Sequence, residues 1–166
     1  IAESRQMLKA PKSSVHAVQQ ILDENRHLQK QIQELKETQA SELRKSLIQE
    51  VLLRSRIHFL AEHVQLDDSK IAKSLIYQLG QELQPALILF GFEENGKAQL
   101  MCYVSEELCK INGFNAVNWI REIARAVDGG GGGQAFFASA GGKNPSGLPA
   151  AIQQAHELIL KKIETA

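Results

Sequence analysis

The residues best suited to binding a ligand lie between Asp128 and Pro145. Five consecutive glycines at 129–133 are followed by the segment QAFFASAGG and then by Lys-Asn-Pro. A glycine run is costly in conformational entropy, so its presence in a folded chain calls for a reason. Bare backbone amides can approach an anion closely, whereas a flexible linker would not need an apolar segment directly behind it. We therefore expect a structured binding or packing loop.

Three cations flank the glycine run and favour phosphate as the anion. Arg121 and Arg125 are one helical turn apart before the run, and Lys143 follows it. With the loop amides and a helix starting at Asn144-Pro145, they are expected to contact a phosphate backbone, although ordinary surface charges are the alternative. Phe136 and Phe137 alternate along a strand, so one is expected in the core and the other is free to stack on a base.

The known motifs for phosphate loops, metals and catalysis do not match. Lys143 is followed by Asn144 rather than Ser or Thr, and Gln134 stands where a dinucleotide fingerprint has its third glycine. The two cysteines are seven residues apart and there is no CxxC or HxxxH pattern, so we expect no metal site. No nucleophile with a general base is apparent, and we expect neither a catalytic site nor a cofactor in this chain.

A helical arm precedes these residues. Positions 12–55 contain no Gly or Pro and are rich in Gln, Glu, Lys, Leu and Arg, which are good helix formers. Spacings of three and four place six side chains on one heptad seam: Val18, Ile21, Asn25, Leu28, Ile32 and Leu35. A polar Asn at an a position usually sets register and partner number. We expect the seam to pair with another helix, including that of a second copy; the alternative is packing on this chain's own globular part.

The seam changes phase near residues 38–41, where polar side chains take the next two core positions. Either the helix kinks there or two helices meet. We divide the chain into the end of a preceding helix and a linker (1–11), a helical coiled-coil arm (12–56) and a globular domain (57–166).

The globular domain reads as alternating strands and helices. Strands are expected at 57–64, 86–92, 98–104 and 135–140, with an Asn95-Gly96 hairpin turn. Helices are expected at 69–83 and 118–127, and after Asn144-Pro145. The fold class is α/β (α+β): a long helical arm, then a small mixed sheet of about four strands packed with helices.

Composition limits the class of protein. The 166 residues carry 19 basic and 19 acidic side chains, and 43% are hydrophobic, as in an ordinary globular chain. Residues 1–58 have a net charge of +3 and residues 59–166 of −3, which argues against a generic basic nucleic-acid binder. No stretch is apolar enough to span a membrane. The chain starts without Met or a signal peptide, so we expect a fragment of a longer cytoplasmic protein.

Residues 129–145 resemble the C-terminal signature of the alanyl-tRNA synthetase family. The glycine run, an Ala-x-Ala-Gly-Gly segment at 138–142 and the helix start with Pro145 are similar. The order of helical arm, strand, helix, hairpin, helix and glycine loop is similar too, so the resemblance covers essentially the whole chain. In that family this part is the C-terminal domain, and its globular portion is the DHH-associated domain. Gln134 is a difference, because many members carry Arg there.

The resemblance implies a non-catalytic role. The parent enzyme uses ATP to attach alanine to its tRNA and edits mischarged tRNA at a separate zinc-dependent site, and this segment would hold neither centre. It would bind the elbow of alanine tRNA and link aminoacylation with editing, with the rest of the synthetase as partner. Its arm would suit a homodimer. The implied RNA-binding residues are Arg121, Arg125, Gly130, Gly131, Gly132, Gln134, Lys143 and Asn144. We expect weak, salt-sensitive binding, shared with Arg44, Lys45, Arg54 and Arg56 of the arm.

Three other interpretations stay open. DHH-type phosphoesterases carry a related domain that helps bind nucleotide or single-stranded substrate, but their loop typically has His where Gln134 stands, and this chain lacks the Asp-His-His metal motif. The chain is alternatively a structural module that dimerises through residues 18–35. The last interpretation is a free-standing editing protein that carries the same domain.

Overall fold

Helix α1 spans Ser14–Glu50 in the computed structural model, which describes residues 14–111 and 113–165. The chain divides into two units, Ile1–Gln39 and Ala40–Ala166. The lack of Gly and Pro explains why α1 is one helix through residues 38–41, so the alternative of two separate helices is wrong. The helix end and linker expected at 1–11 lie outside the described residues. In the first unit, the seam side chains of α1 are exposed.

The arm expected to reach residue 56 is helical only as far as Glu50. Strand β1 follows at Leu52–Arg54 and turns back through Ser55 and Arg56, whose φ angles are 48° and 67°. It pairs antiparallel with β2. With only three residues, β1 is too short for a polar–apolar alternation to predict it. It is a strand because it pairs with β2.

The second unit contains one mixed sheet of six strands rather than about four. After β1 come β2 Ile57–His63, β3 Ala86–Glu94, β4 Lys97–Val104, β5 Gly129–Gln134 and β6 Phe137–Gly142. Their spatial order is β1-β2-β3-β4-β6-β5. Only the β2–β3 pair is parallel, and α2 (Ser69–Glu82) makes the crossover that such a pair needs. The two strands beyond the expected four are β1 and β5, which form the two edges.

Helices cover both faces of the sheet. They are α2, α3 Glu106–Cys109, α4 Ala116–Ile123 and α5 Leu148–Glu164, with 3-10 turns at Ala124–Val127 and Pro145–Gly147. Because strand side chains alternate, residues such as Phe59 and Leu89 pack against α4 and α5, whereas Leu60 and Phe90 pack against α2. β3 is apolar on both sides because both of its faces are covered.

Candidate nucleic-acid interface

The glycine run is an edge strand, and the expectation of a loop is wrong. β5 pairs antiparallel with β6 from Gly129 opposite Gly142 to Gln134 opposite Phe137. A two-residue turn, Ala135 and Phe136, joins them. β5 and β6 are called the glycine hairpin below. The strand expected at 135–140 instead spans Phe137–Gly142, because Ala135 and Phe136 form the turn that lets β6 pair with β5.

Alternate glycines of β5 have different surroundings. A Cβ atom on Gly131 would lie 2.1 Å from the Ser139 carbonyl oxygen, and one on Gly129 would lie 2.3 Å from the Gly141 oxygen. Gly133 is equally crowded and has a φ of +150°, which L side chains rarely adopt. At Gly130 and Gly132, no described atom lies within 4 Å of the added Cβ. Three glycines are therefore required by close strand approach, and the other two leave bare backbone facing open space.

Backbone hydrogen bonds hold the glycine hairpin at both ends. At its tip, the Ala135 and Phe136 carbonyls accept from the N–H groups of Ala116 and Val104, each at 2.9 Å. At its base, the Asn144 N–H donates to the Val127 carbonyl at 3.0 Å. The glycine backbone is thus positioned before any ligand arrives, which limits the entropy lost on binding.

The candidate cations divide between the base and the helix behind the hairpin. Arg125 lies in the 3-10 turn that leads into β5, and Lys143 follows the end of β6; both are exposed. Arg121 is exposed on α4, a helix that packs against β5 through its buried side. Gln134 is at the tip, about 16 Å from Gly129 at ~3.3 Å per residue. The structure therefore brings Arg125, Lys143 and Asn144 to one end of the glycines and leaves Gln134 at the other.

Asn144 does not start the last helix as expected. It is half-buried and precedes the 3-10 turn, its Oδ1 accepts from the Ser146 hydroxyl at 2.5 Å, and α5 begins later at Leu148. Pro145 and Gly147 favour this extra turn before regular helix. The helix terminus expected beside Lys143 therefore lies further along the chain, and Lys143 is the exposed cation at this end of β6.

Of the basic residues expected to help from the arm, Arg44 forms an ion pair with Glu82. Lys45, Arg54 and Arg56 are exposed. The ion pair partly neutralises Arg44, so it is a weaker candidate for an anion contact than the other three.

Sequence reasoning missed a cavity beside the hairpin tip. Tyr77 and Gln81 of α2 and Gln84, just beyond the end of that helix, line it together with Tyr103 and Phe136. Burial raises the pKa of both tyrosines; at Tyr103 the neighbouring Tyr77, Glu106 and Cys109 raise it further. The available signal was Tyr77 and Gln81, four residues apart on α2, but the cavity also depends on where β4 and the turn lie.

Phe136 and Phe137 have different surroundings, but not through alternation along one strand, because Phe136 lies in the turn and only Phe137 belongs to β6. Phe137 is half-buried and its ring stacks on Tyr77 at a centroid distance of 5.2 Å, with the Lys73 ammonium 5.1 Å from its centre. Phe136 is 37% exposed at the cavity rim. Phe136 is thus the ring of the pair that is available for stacking on a ligand.

The described residues contain no group of three His, Cys, Asp or Glu side chains able to hold a metal ion. None of the helices within 14–111 and 113–165 combines the length and apolarity needed to cross a bilayer.

Comparisons with known proteins agree with the resemblance in the glycine segment. The DHHA1 domain model matches residues 57–161. The alanine–tRNA ligase of Christiangramia forsetii is 43% identical over 159 residues, which are 96% of this chain and 18% of that protein. The ligase of Flavobacterium psychrophilum is 33% identical over the same shares. The chain thus spans about a fifth of the length of these relatives.

A solved structure shares the fold. The C-Ala domain of Aquifex aeolicus alanyl-tRNA synthetase matches 64% of this chain and 95% of its own, with a TM-score of 0.57 and 24% identity. The matched region of the family model includes the whole glycine hairpin and the helices that hold it. On this evidence the chain belongs to the DHHA1 domain family.

Proposed function

We propose that this chain is the non-catalytic C-terminal part of a cytoplasmic alanine–tRNA ligase and that it binds the elbow of alanine tRNA, linking aminoacylation with editing. Curated ligases that match nearly the whole chain support the parent enzyme. The observation that carries RNA binding is the edge strand β5: Gly130 and Gly132 face open space, with Arg125 and Lys143 at its base.

In this proposal the glycine backbone allows close approach of a phosphate, and the cations provide the attracting charge. A phosphate can approach bare amides more closely than it can approach a strand covered by side chains. Residues 59–166 have a net charge of −3, so general attraction to RNA is weak and local contacts must dominate. Binding is therefore expected to be modest and to weaken as salt increases.

Fluorescence anisotropy of the chain with labelled alanine tRNA tests this proposal. A hairpin that contains the acceptor stem but lacks the elbow serves as the comparison, at low and moderate salt. Elbow recognition predicts binding to the tRNA and much weaker binding to the hairpin. Equal affinity for both would reduce the proposal to general charge attraction, and no binding to either would refute it.

Charge variants locate the interface. Lys143→Ala and Arg125→Ala are each expected to weaken tRNA binding several-fold and to reduce the salt slope by about 1. Lys161→Ala is the matched control, since Lys161 is also exposed but lies in the last turn of α5, roughly 20 Å along that helix from Leu148 at a rise of 1.5 Å per residue. A loss at Lys161 as large as that at Lys143 would argue against the glycine hairpin as the binding site.

A second candidate function, self-association, has its own observation. In the first unit the apolar seam residues are half to two-thirds exposed: Val18 46%, Ile21 48%, Leu28 49%, Ile32 53% and Leu35 64%. A regular apolar stripe of this kind is typical of a helix that pairs with another helix. We propose that two copies pair through this stripe, with Asn25 setting the register.

Light scattering after size exclusion tests the pairing. A dimer is expected, and Asn25→Val should change its stability or its number of subunits because the polar core position is lost. Ile32→Asp should separate the copies, while Gln33→Asp, at an outward-facing b position of the same heptads, should leave the mass unchanged. A monomer at high protein concentration would refute self-association.

A further inference from the structure

The cavity at the tip of the glycine hairpin has a defined size and one closely packed wall. Its volume is about 260 Å³. Pockets for drug-sized ligands measure roughly 300–1,000 Å³, so this cavity suits a single planar ring system. The Tyr103 ring is packed so closely on α2 that a Cβ at Gly80 would lie 2.2 Å from it.

Aromatic rings form one side of the cavity. Tyr77 stacks on Phe137 and meets Tyr103 edge to face at a centroid distance of 5.4 Å. Phe136, which is 37% exposed, stands at the rim on the turn between β5 and β6. A flat ligand entering here gains stacking area without disturbing the core.

Carboxylate and amide side chains also line the cavity. They are Glu106 and Glu107 of α3, Gln81 of α2, and Gln84 just beyond the end of α2. Among the described residues, none of these four side chains forms a hydrogen bond or ion pair. Ionised carboxylates only accept hydrogen bonds and repel phosphate, so the cavity favours a neutral planar group that presents N–H donors.

Among nucleobases, guanine fits this donor requirement best. Its ring N–H and its exocyclic amino group point in the same direction and can meet one carboxylate together. Adenine and cytosine each offer one amino group beside acceptors, and uracil offers a single N–H between two carbonyls. The carboxylates therefore favour the N–H edge of guanine, while the side-chain N–H groups of the glutamines can donate to its carbonyl oxygen.

We propose that this cavity binds one unstacked guanine of the RNA whose phosphates contact β5. The proposal rests on the proposed RNA-binding function, because Phe136 directly continues the glycine strand and places the cavity at its end. A strand of RNA following β5 keeps its phosphates at the glycines and away from the carboxylates, and only the base enters.

Free nucleosides test the cavity without any contribution from phosphate. In a titration monitored by NMR of the full chain, guanosine is expected to shift signals of Tyr77, Tyr103 and Phe136. Inosine, which lacks the amino group, is expected to bind about tenfold more weakly, in line with the discrimination of a paired contact. Agmatine, a guanidinium probe, separates a base site from a site for arginine side chains.

The outcomes are distinct. Guanosine binding in preference to inosine and uridine supports the proposal. Agmatine binding without guanosine binding overturns it and makes the cavity a guanidinium site of a protein partner. A lack of shifts with all of the probes also overturns it.

Variants connect the cavity to RNA. The double change Glu106→Gln with Glu107→Gln is expected to weaken guanosine binding about tenfold. Glu93→Gln removes an exposed charge elsewhere and should have no effect. Phe136→Ala is a second variant that should weaken guanosine binding; the turn is held by its backbone carbonyl, so the fold should persist.

Binding of alanine tRNA to the same variants separates the two proposals. If the double variant binds tRNA and guanosine like the original chain, the guanine site is refuted while tRNA binding stands. If the original chain binds guanosine as expected but does not bind tRNA, the guanine site is supported and elbow binding is refuted. A parallel loss of both in the double variant, with unchanged melting, supports both proposals.

Discussion

At the residue scale, β5 allows two neighbouring glycines to be compared directly. Gly131→Ala would force a Cβ against the β6 backbone, and we expect it to lower the free energy of unfolding by about 1–3 kcal/mol. Gly130→Ala meets open space and should be neutral or slightly stabilising, because the unfolded chain loses freedom. Urea denaturation measures both.

The comparison also separates architecture from binding. If Gly131→Val weakened RNA binding but left stability unchanged, the steric explanation would be wrong. If Gly130→Ala proved as destabilising as Gly131→Ala, the alternation of crowded and open positions along β5 would be refuted.

Cysteine chemistry provides a second test at this scale. Burial raises the pKa of the Cys102 thiol, and burial followed by the charge of Glu106 raises that of Cys109. A raised pKa means less reactive thiolate at neutral pH. We expect slow alkylation of Cys109, faster with increasing pH, and protection of the fully buried Cys102 in the native protein. Mass spectrometry of labelled peptides measures this.

The electrostatic cause can be checked separately from burial. Glu106→Gln should speed labelling of Cys109, since a carboxylate that opposes the thiolate has been removed. Glu107→Gln is the control. Equal labelling of both cysteines in the folded chain would contradict the structure.

At the scale of elements, the packing of α2 on the sheet requires that Gly80 have no side chain. Gly80→Ala should favour the helix by up to about 1 kcal/mol, but its Cβ would collide with the Tyr103 ring. We expect a net loss of about 1–2 kcal/mol, measured by urea denaturation. With Tyr103→Ala already present, the same change should be neutral or favourable, since the obstacle is gone. An equal loss in both backgrounds would place the strain elsewhere.

The elements that local patterns define could be predicted from the sequence. β3 and β4 have an apolar run, a return strand and a strong turn signal, and α2 has helical periodicity and an Asp68 cap. β5 could not be predicted, because glycine has no side-chain alternation and low strand propensity; its pairing with β6 is a tertiary effect. The cavity escaped prediction because α2, β4, α3 and the hairpin turn meet only in three dimensions.

At the scale of the whole molecule, the division at residues 39 and 40 can be tested by truncation. Both hydrophobic cores lie within residues 47–163, and Leu47 is 5% exposed. Removing residues 1–39 should change the melting temperature by less than about 3 °C, because neither hydrophobic cluster of the second unit loses a side chain. Removing residues 1–50 also deletes Leu47 and should cost about 2–5 kcal/mol.

Thermal melts followed by circular dichroism measure both truncations. The Leu47→Ala variant of the longer form isolates the side chain from the loss of chain, and it should account for most of the difference. A large loss of stability on removing residues 1–39 alone would refute the independence of the second unit.

The placement of the β3–β4 hairpin also has a consequence for the order in which the chain folds. The two strands pair over eight positions at the centre of the sheet and are joined by Asn95-Gly96 alone, whereas β2 must wait for the α2 crossover before it can pair with β3. Closing a short loop costs less entropy than closing a long one. Folding should therefore begin at the centre and proceed outward, so that changes in β3 or β4 slow folding, while changes in the edge strand β5 mainly speed unfolding.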